Sequence, residues 1–188
     1  VASPVLEERL GSDKVRFLPP VYVEEVEKEV YTTIKDWCIV GNMTFIKKCE
    51  IAIEAFRRTP DSTLTIFGNL PKGYTKDNLP DNVKFAGFVK QVPYEKHEGY
   101  ISCSLSECFA NSAVEASSKG LVCLLSNVDL GHRYYASLCK NTKTFSSFDE
   151  LLELLVKYQQ DGEYKSSTFA REYIKDKAVE YYKKVLKL

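Results

Sequence analysis

Two glutamates separated by seven residues form the pair whose spacing most clearly suggests chemistry. Glu107 follows an apolar stretch of strand character, and Glu115 lies in the helical segment that comes next. A carboxylate is a strong hydrogen-bond acceptor, so both side chains could bind hydroxyl groups such as those of a sugar. The backbone amides at the start of the helix favour a negatively charged group. One loop could therefore hold a neutral sugar and a diphosphate together.

Each candidate residue also has a purely structural explanation. Ser112 and Glu115 have the spacing of a capping box, in which the glutamate caps its own helix. Glu107 could be a solvated carboxylate in a loop. Lys47 could be an exposed lysine at a helix start, although the positive helix end disfavours a lysine there unless an anion lies nearby. From the residues alone, both explanations stay open.

Strand and helix signals alternate along most of the chain. Buried strands are predicted at 37–40, 63–67, 83–86, 100–105 and 121–126. Helices are predicted at 47–58, 93–98, 112–119, 148–159 and 167–188. This alternation predicts an α/β fold, with a Rossmann-like parallel sheet flanked by helices and a helical C-terminal tail.

The edge of the sheet that should carry function follows from this topology. Ligands of open parallel sheets bind at the carboxyl ends of the strands. The functional loops should therefore be those that follow Val40, Phe67, Ala86, Leu105 and Ser126.

Five segments in fixed order carry a family resemblance. They read VGNMTFIKK at 40–48, IEAF at 53–56, LTIFG at 64–68, VKFAGFV at 83–89 and SECFANSAVEA at 106–116. Together they resemble the GT-B-fold retaining glycosyltransferases of family 4 (group 1), whose E-x7-E signature usually starts Glu-Gly-Phe-Gly. The match runs from about residue 36 to 135. It implies the C-terminal, donor-binding half of a GT-B fold.

The resemblance implies a role for several side chains. Lys47 would neutralise the donor diphosphate, Glu107 would position the transferred sugar, and Glu115 would bind the ribose hydroxyls. Val89 would line the pocket for the base. The other donor-binding positions that it implies are Gly41, Asn42, Cys108, Phe109, Ala110 and Asn111.

The resemblance also implies the reaction and its partners. A sugar would pass from a UDP-, GDP- or ADP-sugar to a glycan, lipid or protein acceptor with retention of configuration, as in polysaccharide biosynthesis. No cofactor or metal is expected, and the sequence has no Asp-x-Asp pair, no GxGxxG and no P-loop motif. The expected location is cytoplasmic, with peripheral association at the cytoplasmic membrane face as an option. Lysine plus arginine equal aspartate plus glutamate at 26 each, so nucleic acid is not an expected partner.

The domain division is predicted from composition. Residues 1–35 read as a linker or interdomain segment, and 36–188 as the nucleotide-sugar-binding domain with its C-terminal helices. The chain starts at Val1 and lacks the N-terminal acceptor-binding domain of the family, so we expect a fragment that binds donor but transfers little or no sugar.

The cysteines and histidines have simpler interpretations. Six cysteines without a CxxC pair, and only two histidines, argue against a zinc site. Buried free thiols in a reducing compartment are the expected state. His97 is interpreted as a surface residue, whereas His132 follows the fifth strand and could touch a ligand.

Three departures from the family pattern favour other functions. Asn42 replaces an arginine that could grip phosphate with two hydrogen bonds. Cys108 and Ala110 replace glycines, and 127–135 lacks the paired glycines usual after the fifth strand. Asn42 and the altered loop at 127–135 favour a non-catalytic GT-B-like binding or scaffolding module for a partner glycosyltransferase. A nucleotide-sugar epimerase of GT-B type and an interaction domain without ligand are further alternatives.

Overall fold

A six-stranded parallel sheet forms the centre of the molecule. The structure, a computed structural model, describes residues 30–107, 110–127, 130–169 and 183–184. The sheet strands are β2 (Asp36–Gly41), β3 (Thr63–Gly68), β4 (Val83–Gly87), β5 (Gly99–Ser102), β6 (Val122–Ser126) and β8 (Lys143–Phe145). They lie in the order β4-β3-β2-β5-β6-β8, and every neighbouring pair is parallel. The predicted Rossmann-like parallel sheet is therefore confirmed.

Helices connect the strands and cover both faces of the sheet. They are α1 (Cys49–Arg58), α2 (Asn111–Ser118), α3 (Leu130–Leu138) and α4 (Phe148–Gln159). One apolar core contains buried residues of α1 and α4, and the other contains buried residues of α2 and α3. Because both faces are covered, the central strands are almost wholly apolar and buried.

The start of β5 depends on a glycine beside the largest core side chain. Trp37 is fully buried on β2 and pairs in register with Gly99. A Cβ at Gly99 would overlap the indole ring. The strand therefore brings its first residue against β2 only because no side chain stands there.

Several element boundaries differ from the sequence prediction. The predicted helix at 47–58 begins only at Cys49, because Lys48 has a left-handed backbone conformation, with φ at 48°. The predicted strand at 100–105 ends at Ser102, because Leu105 instead donates its backbone amide to Ile46. The predicted helix at 93–98 is a single 3-10 turn, Tyr94–Lys96.

Several elements of the second half were not predicted. The segment after β6 forms α3, and residues 143–145 form β8 at the edge of the sheet. The predicted helix at 167–188 is wrong at its start, where Thr168–Phe169 forms β10 and pairs with β7 (Cys139–Lys140). This pairing joins segments distant in sequence, which local helical periodicity does not reveal. Most of 170–188 lies outside the described residues.

The predicted boundary near residue 36 coincides with the start of β2. Just before it, β1 (Val30–Tyr31) pairs antiparallel with β9 (Tyr164–Lys165), and Ile34 is fully buried. Residues 1–29 lie outside the described part, so the linker at 1–35 stays a prediction. Among the described residues, no helix has the length and apolar character needed to cross a bilayer.

Candidate functional site

Two glycines bring the ends of β2 and β3 into close contact at the carboxyl edge. Gly41 and Gly68 pair in register, with φ at 147° and 127°. A Cβ on Gly68 would overlap the Gly41 carbonyl oxygen and lie 2.9 Å from its carbonyl carbon. A Cβ on Gly41 would lie 3.8 Å from Cε of Lys47. The loop after β2 therefore folds back tightly and places Lys47 beside the strand end.

Lys47 and Glu107 meet in an ion pair at this edge. Their strands, β2 and β5, are neighbours in the sheet, so the loops that follow them are adjacent although the residues are 60 apart in sequence. The backbone amide of Leu105 donates to the carbonyl of Ile46 at 2.8 Å, which holds the two loops together. The side chains are 29% and 16% exposed, so both remain reachable from solvent. The structure thus joins two residues that the sequence predicted as site residues.

Glu115 lies on the solvent-exposed side of α2 and is held by one hydrogen bond. The Tyr94 hydroxyl donates to Oε2 of Glu115 at 3.0 Å. The alternative capping box is wrong, because α2 begins at Asn111, its N-cap is Ala110, and no side chain caps it. Ser112 therefore lies inside the helix, and the Glu115 carboxylate is not used to close the helix end.

The start of α2 supplies backbone amides near the two glutamates. The first hydrogen bond of the helix runs from the amide of Val114 to the carbonyl of Ala110, at 3.0 Å. The amides that precede Val114 in the helix have no partner within it, which is the geometry that attracts anions. Ala110 is buried and Asn111 exposed. Cys108 and Phe109 lie outside the described residues.

The remaining predicted positions lie at the same edge of the sheet. Asn42 is exposed, and its carbonyl accepts the amide of Thr44 at 2.7 Å. Val89 follows β4 and is exposed beside Phe88. Their roles in donor binding stay predictions. Within the described part of the chain, no group of three His, Cys, Asp or Glu side chains could hold a metal ion.

A protein-family model matches most of this chain, including the residues of the site. Residues 34–154 match the model described as glycosyl transferases group 1. The chain belongs to the group 1 glycosyltransferases. A comparison with curated protein sequences finds no significant match.

Solved structures of GT-B glycosyltransferases resemble this glycosyltransferase chain. The GtfA/B complex matches with a TM-score of 0.66 and 18% identity, covering 97% of this chain and 42% of that one. The galactosyltransferase WaaB matches at 0.61 and 17%, covering 85% and 52%. HepE of Anabaena, solved with UDP-glucose, matches at 0.54 and 17%, covering 65% and 38%. These identities show the fold alone, and the chain spans about half or less of each relative's length.

The two histidines of this glycosyltransferase domain are both structural. His97 was interpreted as a surface residue, but its side chain is only 8% exposed, bonds Asp36 at 3.2 Å and packs edge-on against Phe67. Burial by itself would raise the pKa of Asp36. The net effect is a lowered pKa, because the carboxylate is stabilised by the hydrogen bond and charge of His97, by the hydroxyl of Thr63 and by nearby Lys84. His97 therefore anchors the start of β2.

His132 was considered as a residue that could touch ligand. It is buried on α3, and its Nδ1 lies 3.0 Å from Oγ and 3.1 Å from the carbonyl oxygen of Ser126. A ring held inside the fold in this way belongs to the packing of α3 against β6.

The cysteines that the structure describes are buried thiols, as predicted. Burial raises the pKa of Cys49 to about 12 and raises the pKa of the others, so the thiolate form is disfavoured. Cys108 lies outside the described residues. The free, buried cysteines are Cys38, Cys49, Cys103, Cys123 and Cys139.

Sequence reasoning missed two residues of the site. Tyr94 was one residue of a short predicted helix, and nothing local links it to Glu115, 21 positions away. Gly68 was interpreted as the end of a strand. The available signal was that Gly41 and Gly68 each close a predicted strand. Equivalent ends of neighbouring parallel strands meet at one edge of the sheet, so the two glycines could be expected to lie side by side.

Proposed function

We propose that this chain is the donor-binding domain of a retaining glycosyltransferase of family 4, which takes a nucleoside-diphosphate sugar. The observation that carries the proposal is the meeting of Lys47 and Glu107 at the carboxyl edge of the sheet. The resemblance to the family implies that these two residues contact the diphosphate and the sugar of one donor. Their adjacency supports a single site that contacts both parts of such a ligand.

In this proposal the ion pair of the free protein opens when donor binds. The diphosphate replaces Glu107 as the partner of Lys47, because it carries more negative charge than one carboxylate. Glu107 is then free to accept hydrogen bonds from sugar hydroxyls. The backbone amides at the start of α2 add further donors for the phosphates, and Glu115 binds the ribose.

The chemistry needs little from this domain beyond charge stabilisation. The bond between the anomeric carbon and the diphosphate oxygen breaks, and the acceptor oxygen bonds to that carbon on the same face. The acceptor proton leaves with the diphosphate. Lys47 stabilises the negative charge that develops on the departing oxygen, so we propose that no metal ion is required.

The partners of the whole reaction are proposed from the relatives. HepE, one of the similar structures, was solved with UDP-glucose, so UDP-sugars are the first donors to test. We propose that an acceptor-binding domain outside this chain completes the cleft and presents a glycan, lipid or protein. A cytoplasmic location, with association at the membrane face, fits a donor of this class.

A non-catalytic module is the second candidate, and one observation favours it. Asn42 is exposed where the family has arginine. A site without the arginine binds phosphate more weakly, by roughly ten- to a hundredfold for one lost charged hydrogen bond. Binding of donor separates the two candidates.

The test is a thermal-shift screen with UDP, GDP, ADP and their common sugars at about 10 mM. A ligand at tenfold excess over its Kd adds about 1.4 kcal/mol, or roughly 3–6 °C for a domain of this size. Glu115→Ala and Lys47→Ala should abolish the shift. Glu153→Ala and Lys157→Ala, on α4, are matched controls and should keep it. If no nucleotide shifts the wild type, the second candidate is the better function.

A further inference from the structure

A buried tyrosine contacts the carboxylate proposed to bind ribose. Tyr94 is only 5% exposed, yet its hydroxyl reaches the surface of α2 and donates to Oε2 of Glu115 at 3.0 Å. Within the described residues, no second group donates a hydrogen bond to this carboxylate. One oxygen of Glu115 is thus held from inside the protein, while the residue itself is exposed to solvent.

The backbone and ring of Tyr94 are both fixed. Its amide donates to the carbonyl of Val92 at 3.0 Å, and its own carbonyl accepts the amide of His97 at 2.9 Å. The ring belongs to the apolar core that contains Ala113 and Val114, the two α2 residues before Glu115. A side chain packed in this way offers its hydroxyl from one position.

The hydroxyl of Tyr94 is a permanent donor to this carboxylate. Burial raises the pKa of Tyr94 far above its usual value, and the neighbouring Tyr100 and Glu115 raise it further. Tyr94 therefore stays protonated over the whole working range of pH. Glu115 is exposed, so without this bond its side chain would sample several rotamers.

We propose that Tyr94 is a positioning residue for donor binding, which holds the Glu115 carboxylate so that Oε1 accepts the ribose hydroxyls. The inference rests on the proposed function, because Tyr94 can position a ribose-binding carboxylate only if Glu115 binds ribose. Ordering one long side chain before binding is worth roughly 2- to 10-fold in affinity. The gain applies to ligands with the hydroxyls that Glu115 contacts.

The test compares a ribonucleotide with its 2′-deoxy counterpart by isothermal titration. The probe pair is UDP with dUDP, GDP with dGDP or ADP with dADP, whichever base binds the wild type. The wild type should prefer the ribonucleotide by about tenfold, the lower range for one hydrogen bond to a charged group. Tyr94→Phe should weaken the ribonucleotide by about 2- to 10-fold and the deoxynucleotide, which keeps only its 3′-hydroxyl, by less, and so reduce the preference.

The matched control is Tyr135→Phe. Tyr135 is fully buried in the same core, and its hydroxyl oxygen lies 3.1 Å from the Ala113 carbonyl oxygen and 2.7 Å from Oγ of Ser117, within hydrogen-bonding distance of both. This variant also removes a buried hydroxyl that bonds α2, so it loses stability in a similar way. It should keep the wild-type preference for the ribonucleotide. A structural role for Tyr94 would make the two variants behave alike.

The outcomes separate the inference from the proposed function. Suppose that the wild type prefers the ribonucleotide and that Glu115→Ala abolishes this preference. If Tyr94→Phe then preserves the preference, the positioning role is overturned and the donor site stands. If the wild type binds no nucleotide, or if Glu115→Ala binds as well as the wild type, the proposed function fails and the inference fails with it.

Discussion

Gly68 is the position at which one methyl group should damage the fold most. Alanine there would have to keep a φ of 127°, which costs an L-residue about 1–2 kcal/mol. Its Cβ would also overlap the Gly41 carbonyl, and backbone displacement of this kind costs about 1–3 kcal/mol. Alanine recovers about 0.4–1 kcal/mol by restricting the unfolded chain. Gly68→Ala should therefore destabilise the domain by about 1–5 kcal/mol.

Gly73 provides a matched control for the steric part of this cost. It has a φ of 92°, but a Cβ there would meet nothing within 4 Å. Gly73→Ala should lower the free energy of unfolding by about 1 kcal/mol or less, because the backbone strain is partly offset by the reduced entropy of the unfolded chain. Urea denaturation of both variants at the same pH gives the two free energies of unfolding. Equal costs for Gly68→Ala and Gly73→Ala would refute the close approach of the two strand ends.

Three further predictions follow from the packing of single residues. Lys48→Gly should be more stable than Lys48→Ala by about 0.5–1 kcal/mol in urea denaturation, because the left-handed φ of 48° strains alanine; the reverse order would contradict that conformation. Asp36→Asn should destabilise the domain at neutral pH and progressively less as the pH falls below about 4. The lowered pKa makes the carboxylate fully stabilising above its unfolded pKa, and this stabilisation is lost as the pH falls through its folded pKa. A cost that does not change with pH would contradict this. In a Cys108→Ser background, a thiol reagent at pH 8 should label no cysteine until urea is added, because burial raises the pKa of the described thiols; rapid native labelling would oppose it. The described thiols are Cys38, Cys49, Cys103, Cys123 and Cys139.

Local sequence patterns were sufficient for the strands and helices with strong signals. The apolar runs that became β2, β3, β4 and β6 are each bounded by turn residues, so their positions were predicted to within one or two residues. The helices α1 and α4 were likewise predicted to within two residues of their observed bounds. The sequence alone therefore predicted the parallel sheet and the edge where a ligand would bind.

Pairings between distant segments were not predictable from local patterns. The edge strand β8 has only three residues, and β10 exists because it pairs with β7. Such short strands are stabilised by their neighbours rather than by their own propensity. A helical prediction at 167–188 was therefore wrong at its first residues.

The candidate site divides in the same way. Residue types and spacing pointed to Glu107 and Glu115, because acceptor capacity is a property of the side chains themselves, and the family resemblance added Lys47. Only the tertiary structure decided which of them meet: adjacent strands β2 and β5 bring Lys47 to Glu107. The core likewise brings the hydroxyl of Tyr94 to Glu115. Such contacts depend on strand order and core packing, and these cannot be deduced from the local pattern of residues in a single sequence.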